Sequence, residues 1–377
     1  MTVESTHGCP VTGSVDTIRR TRTALGDEGW LATSYAQVRT LFADPRLGRA
    51  HPTPETAARV SDSVFFGGPL GNFETEPADQ ARLRELVVPF FSPRRMRDLG
   101  PRVDELTTRL FDEMAAQGSP ADLHTAVALP LPLLVICELL GVPYADRDQF
   151  RAWTEALGDQ QDGAKVQQGV AGLFEYFMAL VQRKRSDPAD DVLSHLCARD
   201  DLSDQGIATL GLGLLFGGHE TTVVQIGVGA KRLLENLTQW QALVDDPGLV
   251  PTAIEELLRV ADATQMPRYA RTDMEIDGNA VHAGDLVLLD LTAANHDPTV
   301  FADPDHVDVT RKNGSHVTFG YGARHCIGAP LARIELQTVF TQLVTRFPTM
   351  RLAVDPAAVP MRTNSFTGGV EELPVKW

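Results

Sequence analysis

The sequence predicts a mainly α fold: a single helix-rich domain carrying small β-sheets. Three observations predict it. Apolar residues recur at helical spacing, as at Val38, Leu41 and Phe42 and again at Leu83, Leu86, Val87 and Phe90. Residues 203–236 are apolar nearly all round, the pattern of a long buried helix. Strand-like stretches are short and few: 275–291, with turn signals at Asp277-Gly278 and Gly284-Asp285, and a C-terminal hairpin over 361–377. No Pro/Ser/Gly-rich linker, repeat or low-complexity run divides the 377 residues, so the chain reads as one compact domain, although its length alone would suggest two or three.

Composition sets further bounds. With 43% hydrophobic and 22% charged residues, the chain has an ordinary globular make-up. A net charge of −16 argues against binding nucleic acid or an anionic membrane. Met1 to Arg22 is polar, with no signal-peptide core and no stretch long enough to span a bilayer. Cys9, Cys137, Cys197 and Cys326 show no paired spacing, which fits a reducing compartment, and a cytoplasmic protein is expected. Cys137 sits in an apolar run and reads as a buried structural thiol.

Residues 1–28 form a weakly patterned lead-in, with a short helix expected over Ile18 to Leu25, and the main domain is expected over 29–377. Residues 29–48 read as strand, turn and helix, ended by Asp44-Pro45. Residues 51–75 make a long irregular segment holding Phe65, Phe66 and Phe73; segments of this length are functional or disordered, and the aromatics argue against disorder. A helix over 76–91 carries Gln80 and Arg84. Several helices follow over 102–160, punctuated by Pro130 and Pro132, then a polar break at Asp159 to Gly163, then a helix through Val170 to Val181. Ser203-Asp204 suits the start of the long helix. Inside it Gly217 and Gly218 are adjacent, each costing about 1 kcal/mol relative to alanine. That cost suggests a local opening of the helix to admit a flat cofactor and a small ligand. Glu256 and Arg259, three apart, share a face of a later helix.

Cys326 lies among Gly320, Gly322 and Gly328, just before an apolar helix-prone run with Pro330 near its start. Nearby backbone N–H groups and the positive helix end favour its thiolate, and a thiolate held this way can ligate haem iron. A buried free cysteine in a glycine turn is the other reading. The string Phe319-Gly320-Tyr321-Gly322-Ala323-Arg324-His325-Cys326-Ile327-Gly328 resembles the cysteine-ligand loop of the cytochrome P-450 family, with every fixed position matched. It is not a dinucleotide fingerprint, because His325 stands where the third glycine belongs. Gly217-Gly218-His219-Glu220-Thr221 is similar to the same family's central-helix motif, and Glu256-x-x-Arg259 to the pair that braces its cysteine loop. The resemblance runs from Gly29 to Trp377.

The resemblance implies the cytochrome P-450 fold, with haem b buried between the central helix and the cysteine loop and Cys326 as the iron ligand. It implies that Phe319, Gly320, Gly328, Gly217 and Gly218 shape the haem pocket. Gln80 (where the family has histidine), Arg84, Arg268 and Arg324 are then contacts of the haem propionates, and His306 falls near the third partner of Glu256 and Arg259. Glu220 and Thr221 take the positions of an acid–alcohol pair that manages protons, with His219 facing away. The 51–75 loop and the Asp159–Gly163 break would cover the substrate, with Phe65, Phe66, Phe216 and Phe366, beside Ser365 and Thr367, in the pocket wall.

The implied activity is monooxygenation, a hydroxylation or epoxidation of a small, hydrophobic, natural-product-like molecule. Electrons would pass from NAD(P)H through a ferredoxin reductase and a ferredoxin docked near Arg94, Arg95, Arg97 and Arg333. A monomer is expected. Two further readings stay open: a peroxide-using or isomerising haem-thiolate enzyme, against which the acid–alcohol pair argues, and a noncatalytic haem-binding sensor. A cysteine-nucleophile enzyme without haem is a remote third.

Overall fold

Helix starts in this chain are written as caps and prolines. In the computed structural model, which describes residues 18–61, 67–146, 149–150, 152–153, 163–261, 265–312, 315–362 and 368–377, helix α1 (Tyr35–Ala43) begins where the Ser34 hydroxyl accepts the Gln37 N–H at 3.3 Å. It buries Val38, Leu41 and Phe42 along one face and ends at Asp44-Pro45. Helix α2 (Glu76–Val87) follows, and then α3 (Pro93–Gln117), capped by Ser92 with Pro93 in its first turn. Helix α4 (Pro130–Leu140) also starts on proline and stops at Gly141, whose φ of 74° suits a residue without Cβ.

The central helix, Asp204–Glu235, runs unbroken for 32 residues from its Ser203 cap, whose hydroxyl accepts the Gly206 N–H at 3.1 Å. It is long and apolar enough to cross a membrane. Here α4 and the helices Gly163–Ser186, Val250–Val260 and Ala329–Arg346 pack around it instead. It is the axle of the helical core.

The described strands form three sheets. The largest has the order β1-β2-β8-β5-β3, built from β1 (Arg19–Arg22), β2 (Glu28–Ala32), β3 (Leu47–Gly48), β5 (Gln265–Ala270) and β8 (Leu286–Asp290), with β2 and β8 parallel and the other pairs antiparallel. A second sheet joins β4 (Ala121–Asp122), β10 (Pro374–Lys376) and β9 (Arg351–Leu352). The third is the hairpin of β6 (Met274–Ile276) and β7 (Asn279–Val281), turned by Asp277 and Gly278 at φ of 50° and 77° as the Asp-Gly signal predicts.

Two expectations change. Residues 19–22 are a strand, not part of a helix: they pair with β2, whose apolar residues are buried, and tertiary pairing overrides the weak local pattern. At the C-terminus Met361 bridges Val370 as a hairpin would, but β10 then leaves to join β4 and β9. Phe65, Phe66, Ser365, Phe366, Thr367 and most of the Asp159–Gly163 break lie outside the described residues.

Two apolar cores meet at the cysteine loop. Val317 belongs to the sheet-side core with Trp30, Phe42 and Leu289. Phe319 and Ile327 pack on the helical core with Phe111, Leu336 and Phe340. The loop therefore lies on the seam between them.

Candidate active site

The cysteine loop is fixed by its own backbone. Cys326 N–H donates to the Phe319 carbonyl at 2.8 Å, Gly320 N–H to Val317 at 2.8 Å and His325 N–H to Gly322 at 3.1 Å. Gly320 and Gly322 hold φ of 70° and 68°, a left-handed conformation that L side chains resist. Gly328 then opens the Ala329–Arg346 helix. Among the described free cysteines, Cys137 and Cys197 are buried and Cys326 alone reaches accessible space. Burial pushes the thiol up, while N–H groups of Gly328 and Ala329 and the charges of Arg84 and Arg333 pull it down.

Ion pairs brace the loop from beneath. Arg333 forks onto Glu255 at 2.7 and 2.9 Å and lies 4.7 Å above the Phe319 ring, while His316 reaches the same carboxylate at 3.2 Å. Burial works to raise Glu255, but Arg333 and His316 outweigh it and bring its carboxyl down to about 2. Glu256 and Arg259 form a buried bidentate pair at 2.7 and 2.8 Å. The third side chain of this pair is Arg311, whose Nε donates to both Glu256 oxygens at 3.1 and 3.0 Å. His306, expected in that role, offers only its backbone carbonyl, to Arg259 at 3.2 Å. Asn295 carries the brace to the loop: its carbonyl accepts from Arg259 at 2.8 Å, while its side chain meets Val317 N–H and Thr318 Oγ1, both at 2.8 Å. The 293–298 stretch is family-like in sequence, but nothing in it singles out Asn295.

The central helix has one open face. Its opposite face is buried, yet Gly213, Gly217 and Thr221, spaced four apart on one face, are exposed. A Cβ placed on Gly213 or Gly217 would meet nothing within 4 Å. Gly218 differs, since a Cβ there would lie 3.0 Å from Ile136 of α4. The helix does not open at these glycines. Instead Gly217 clears its face and Gly218 permits close packing. Thr221 Oγ1 donates to the Gly217 carbonyl at 3.0 Å. Glu220 accepts from Arg362 at 2.8 Å, and Phe216 is half-buried nearby on the same helix. His219 is buried, with Nε2 3.4 Å from the Leu129 carbonyl, away from the open face.

Basic side chains gather between α2 and the large sheet. Arg84 donates to the His325 carbonyl at 2.8 Å, and Gln80, one turn earlier, is half-buried. Arg268 is 4% exposed, and its Nε has no partner. Burial, then the charges of Arg49 and Arg324, push its guanidinium down to about 9. Arg324 donates to Glu76 at 2.9 Å, a carboxylate the sequence reading passed over.

A helix-rich fold with an accessible thiol on a glycine-shaped loop, a cleared helix face and buried unpaired cationic nitrogen defines a protein built to hold a flat anionic metal-bearing ring. The family model described as cytochrome P-450 matches residues 237–363. Pentalenolactone synthase of Streptomyces exfoliatus is 41% identical over 95% of this chain and 92% of its own length. The mycinamicin IV hydroxylase/epoxidase of Micromonospora griseorubida is 37% identical over 98% and 96%. Among solved structures, the mixed-function P-450 MycG with mycinamicin IV superposes with a TM-score of 0.87 at 38% identity, covering 96% of this chain and 93% of that one. The pimaricin epoxidase PimD gives 0.87 at 37%, with the same coverage. The chain belongs to the cytochrome P-450 family and is a monooxygenase of that family.

The residues present fit the family's haem. The orphaned Arg268 Nε calls for an anion, the empty space beside Gly217 for a flat partner, and the Cys326 thiol is accessible to a metal.

Proposed function

We propose that this enzyme inserts one oxygen atom of O2 into a secondary metabolite by hydroxylation or epoxidation, in the cytoplasm, with electrons from a ferredoxin. The observation that carries the reading is Cys326, the accessible cysteine of the described three, on a loop braced by two ion-pair networks, one buried and one half-exposed. Bound haem iron would supply the binding and activation of dioxygen. Cys326 Sγ would hold the iron, while Gly328 and Ala329 N–H groups temper the sulfur's charge. Arg84, Arg268 and Arg324, with Gln80 beside them, would hold the propionate edge. Thr221 would present its hydroxyl to the open face of the central helix, and Glu220, tethered by Arg362, would pass protons to it. The names of relatives support the substrate class: one hydroxylates or epoxidises mycinamicin IV, and another epoxidises a polyene macrolide antibiotic.

The reduced protein under carbon monoxide tests the central assignment. Wild type should show the red-displaced Soret band of thiolate ligation, and Cys326→Ser should bind haem without it. A folded, haem-loaded wild type lacking that band sinks the reading.

A further inference from the structure

Arg333 stands one turn into the Ala329–Arg346 helix, just after the cysteine, and its guanidinium lies 4.7 Å above the Phe319 ring of the cysteine loop. The Phe319 carbonyl in turn accepts the Cys326 N–H at 2.8 Å. Phe319 thus meets the cation with its ring and the cysteine with its backbone. Glu255, on the Val250–Val260 helix, fixes the guanidinium through a fork at 2.7 and 2.9 Å.

The loop keeps its shape by other bonds. Thr318 Oγ1 donates to the Leu258 carbonyl at 2.7 Å, Val317 N–H to the Asn295 side chain at 2.8 Å and Gly320 N–H to the Val317 carbonyl at 2.8 Å. Nor is the Arg333–Glu255 pair well placed to stabilise the fold. The two side chains are 32% and 38% exposed, and ion pairs this open to water add little. What the pair supplies is charge at a fixed place. Burial pushes the Cys326 thiol up, and Arg333 is among the charges that favour its thiolate. Glu255, its carboxyl down to about 2, carries the opposite charge in full at neutral pH. Charge set beside a metal ligand tunes the metal. A cation there favours the state holding one more electron, and an anion disfavours it.

We propose that Arg333 and Glu255 are positioning residues that set the reduction potential of the iron held at Cys326, Arg333 raising it and Glu255 lowering it. The proposal rests on the haem reading above. It gives the pair opposite tasks, whereas a pair that only braced the loop would have one task in common.

The test is a spectroelectrochemical titration of full-length, haem-loaded wild type and three variants, each first checked for the thiolate Soret band under carbon monoxide. Arg333→Leu should lower the midpoint potential. Glu255→Gln, whose amide oxygen can still accept from Arg333, should raise it. Each shift should change the reduced-to-oxidised ratio at a fixed applied potential about threefold, the scale of one partly screened charge. Arg333→Lys keeps the charge and loses the fork, so its potential should stay with wild type. Shifts of the same sign in Arg333→Leu and Glu255→Gln would make the pair a brace and overturn the proposal. Unmoved potentials would overturn it too, as would Arg333→Lys shifting as far as Arg333→Leu. If Arg333→Leu fails to hold haem, Glu255→Gln and Arg333→Lys decide by the same signs. Wild type with the thiolate band but indifferent to these changes overturns this inference alone, whereas folded, haem-loaded wild type without the band overturns the haem-thiolate reading as well.

Discussion

Glu335 is carried into the interior with no charge to meet it. It is 1% exposed, its Oε2 has no partner, and burial pushes its carboxyl well above the ordinary value. The folded chain therefore keeps a proton that the unfolded chain releases near the usual carboxylate pH. Stability is lost as pH rises through that window, because the unfolded state binds fewer protons there. Glu335→Gln keeps the shape and stays neutral. Its melting temperature relative to wild type should climb between about pH 5 and about pH 8; a constant difference would show that the carboxyl is not held neutral. The sequence gives no sign of this burial. A glutamate in Ala332-Arg333-Ile334-Glu335-Leu336 reads as part of a solvated helix face. Arg311 was hidden in a similar way. It ends the segment that holds His306, but which of the two meets Glu256 depends on where a loop turns, and no periodicity records that.

Among elements, the central helix and the cysteine loop were the most legible, since each is a contiguous run whose residue types state their own geometry. Their interplay was less so. The paired glycines read as a point of opening, yet the helix continues through them, because its other faces are locked by α4 and the Gly163–Ser186 helix. The two positions should therefore respond in opposite ways. Gly217→Ala adds a methyl group in open space and should raise helix stability by about 1 kcal/mol. The same methyl enters the space assigned to haem and substrate, so haem content or substrate affinity should fall while the melting temperature rises. Gly218→Ala meets Ile136 at 3.0 Å and should lower stability instead. Thermal melts of both variants, with haem content measured alongside, check the pair; equal effects at the two sites would refute the division of roles. The strand at 19–22 illustrates a different limit, since four polar residues cannot announce a sheet edge whose partner lies in β2.

For the whole molecule, the helical class followed from the chain's helical patterning, while the seam between two cores that seats the cysteine loop appears only in three dimensions. Net charge acts at this scale. At −16 the chain would repel the acidic ferredoxin proposed as its electron donor, and docking would then depend on a local basic patch. Of the arginines expected there, Arg95 is forked onto Asp190 at 2.9 Å twice and Arg333 onto Glu255. Arg94 and Arg97 are exposed, Arg94 only 4.0 Å from Asp98. The Debye length falls from about 30 Å at 0.01 M salt to about 8 Å at 0.15 M and about 3 Å at 1 M. At low salt the whole-molecule repulsion reaches the partner. At intermediate salt only facing patches interact, and at high salt even these are screened. The reduction rate by an acidic ferredoxin should therefore pass through a maximum as salt increases. In a double variant, Arg94→Glu with Arg97→Glu, the attractive patch is gone, and the rate should only rise with salt. Stopped-flow reduction across a salt series reads both shapes. A maximum that survives in the variant would place the docking patch elsewhere.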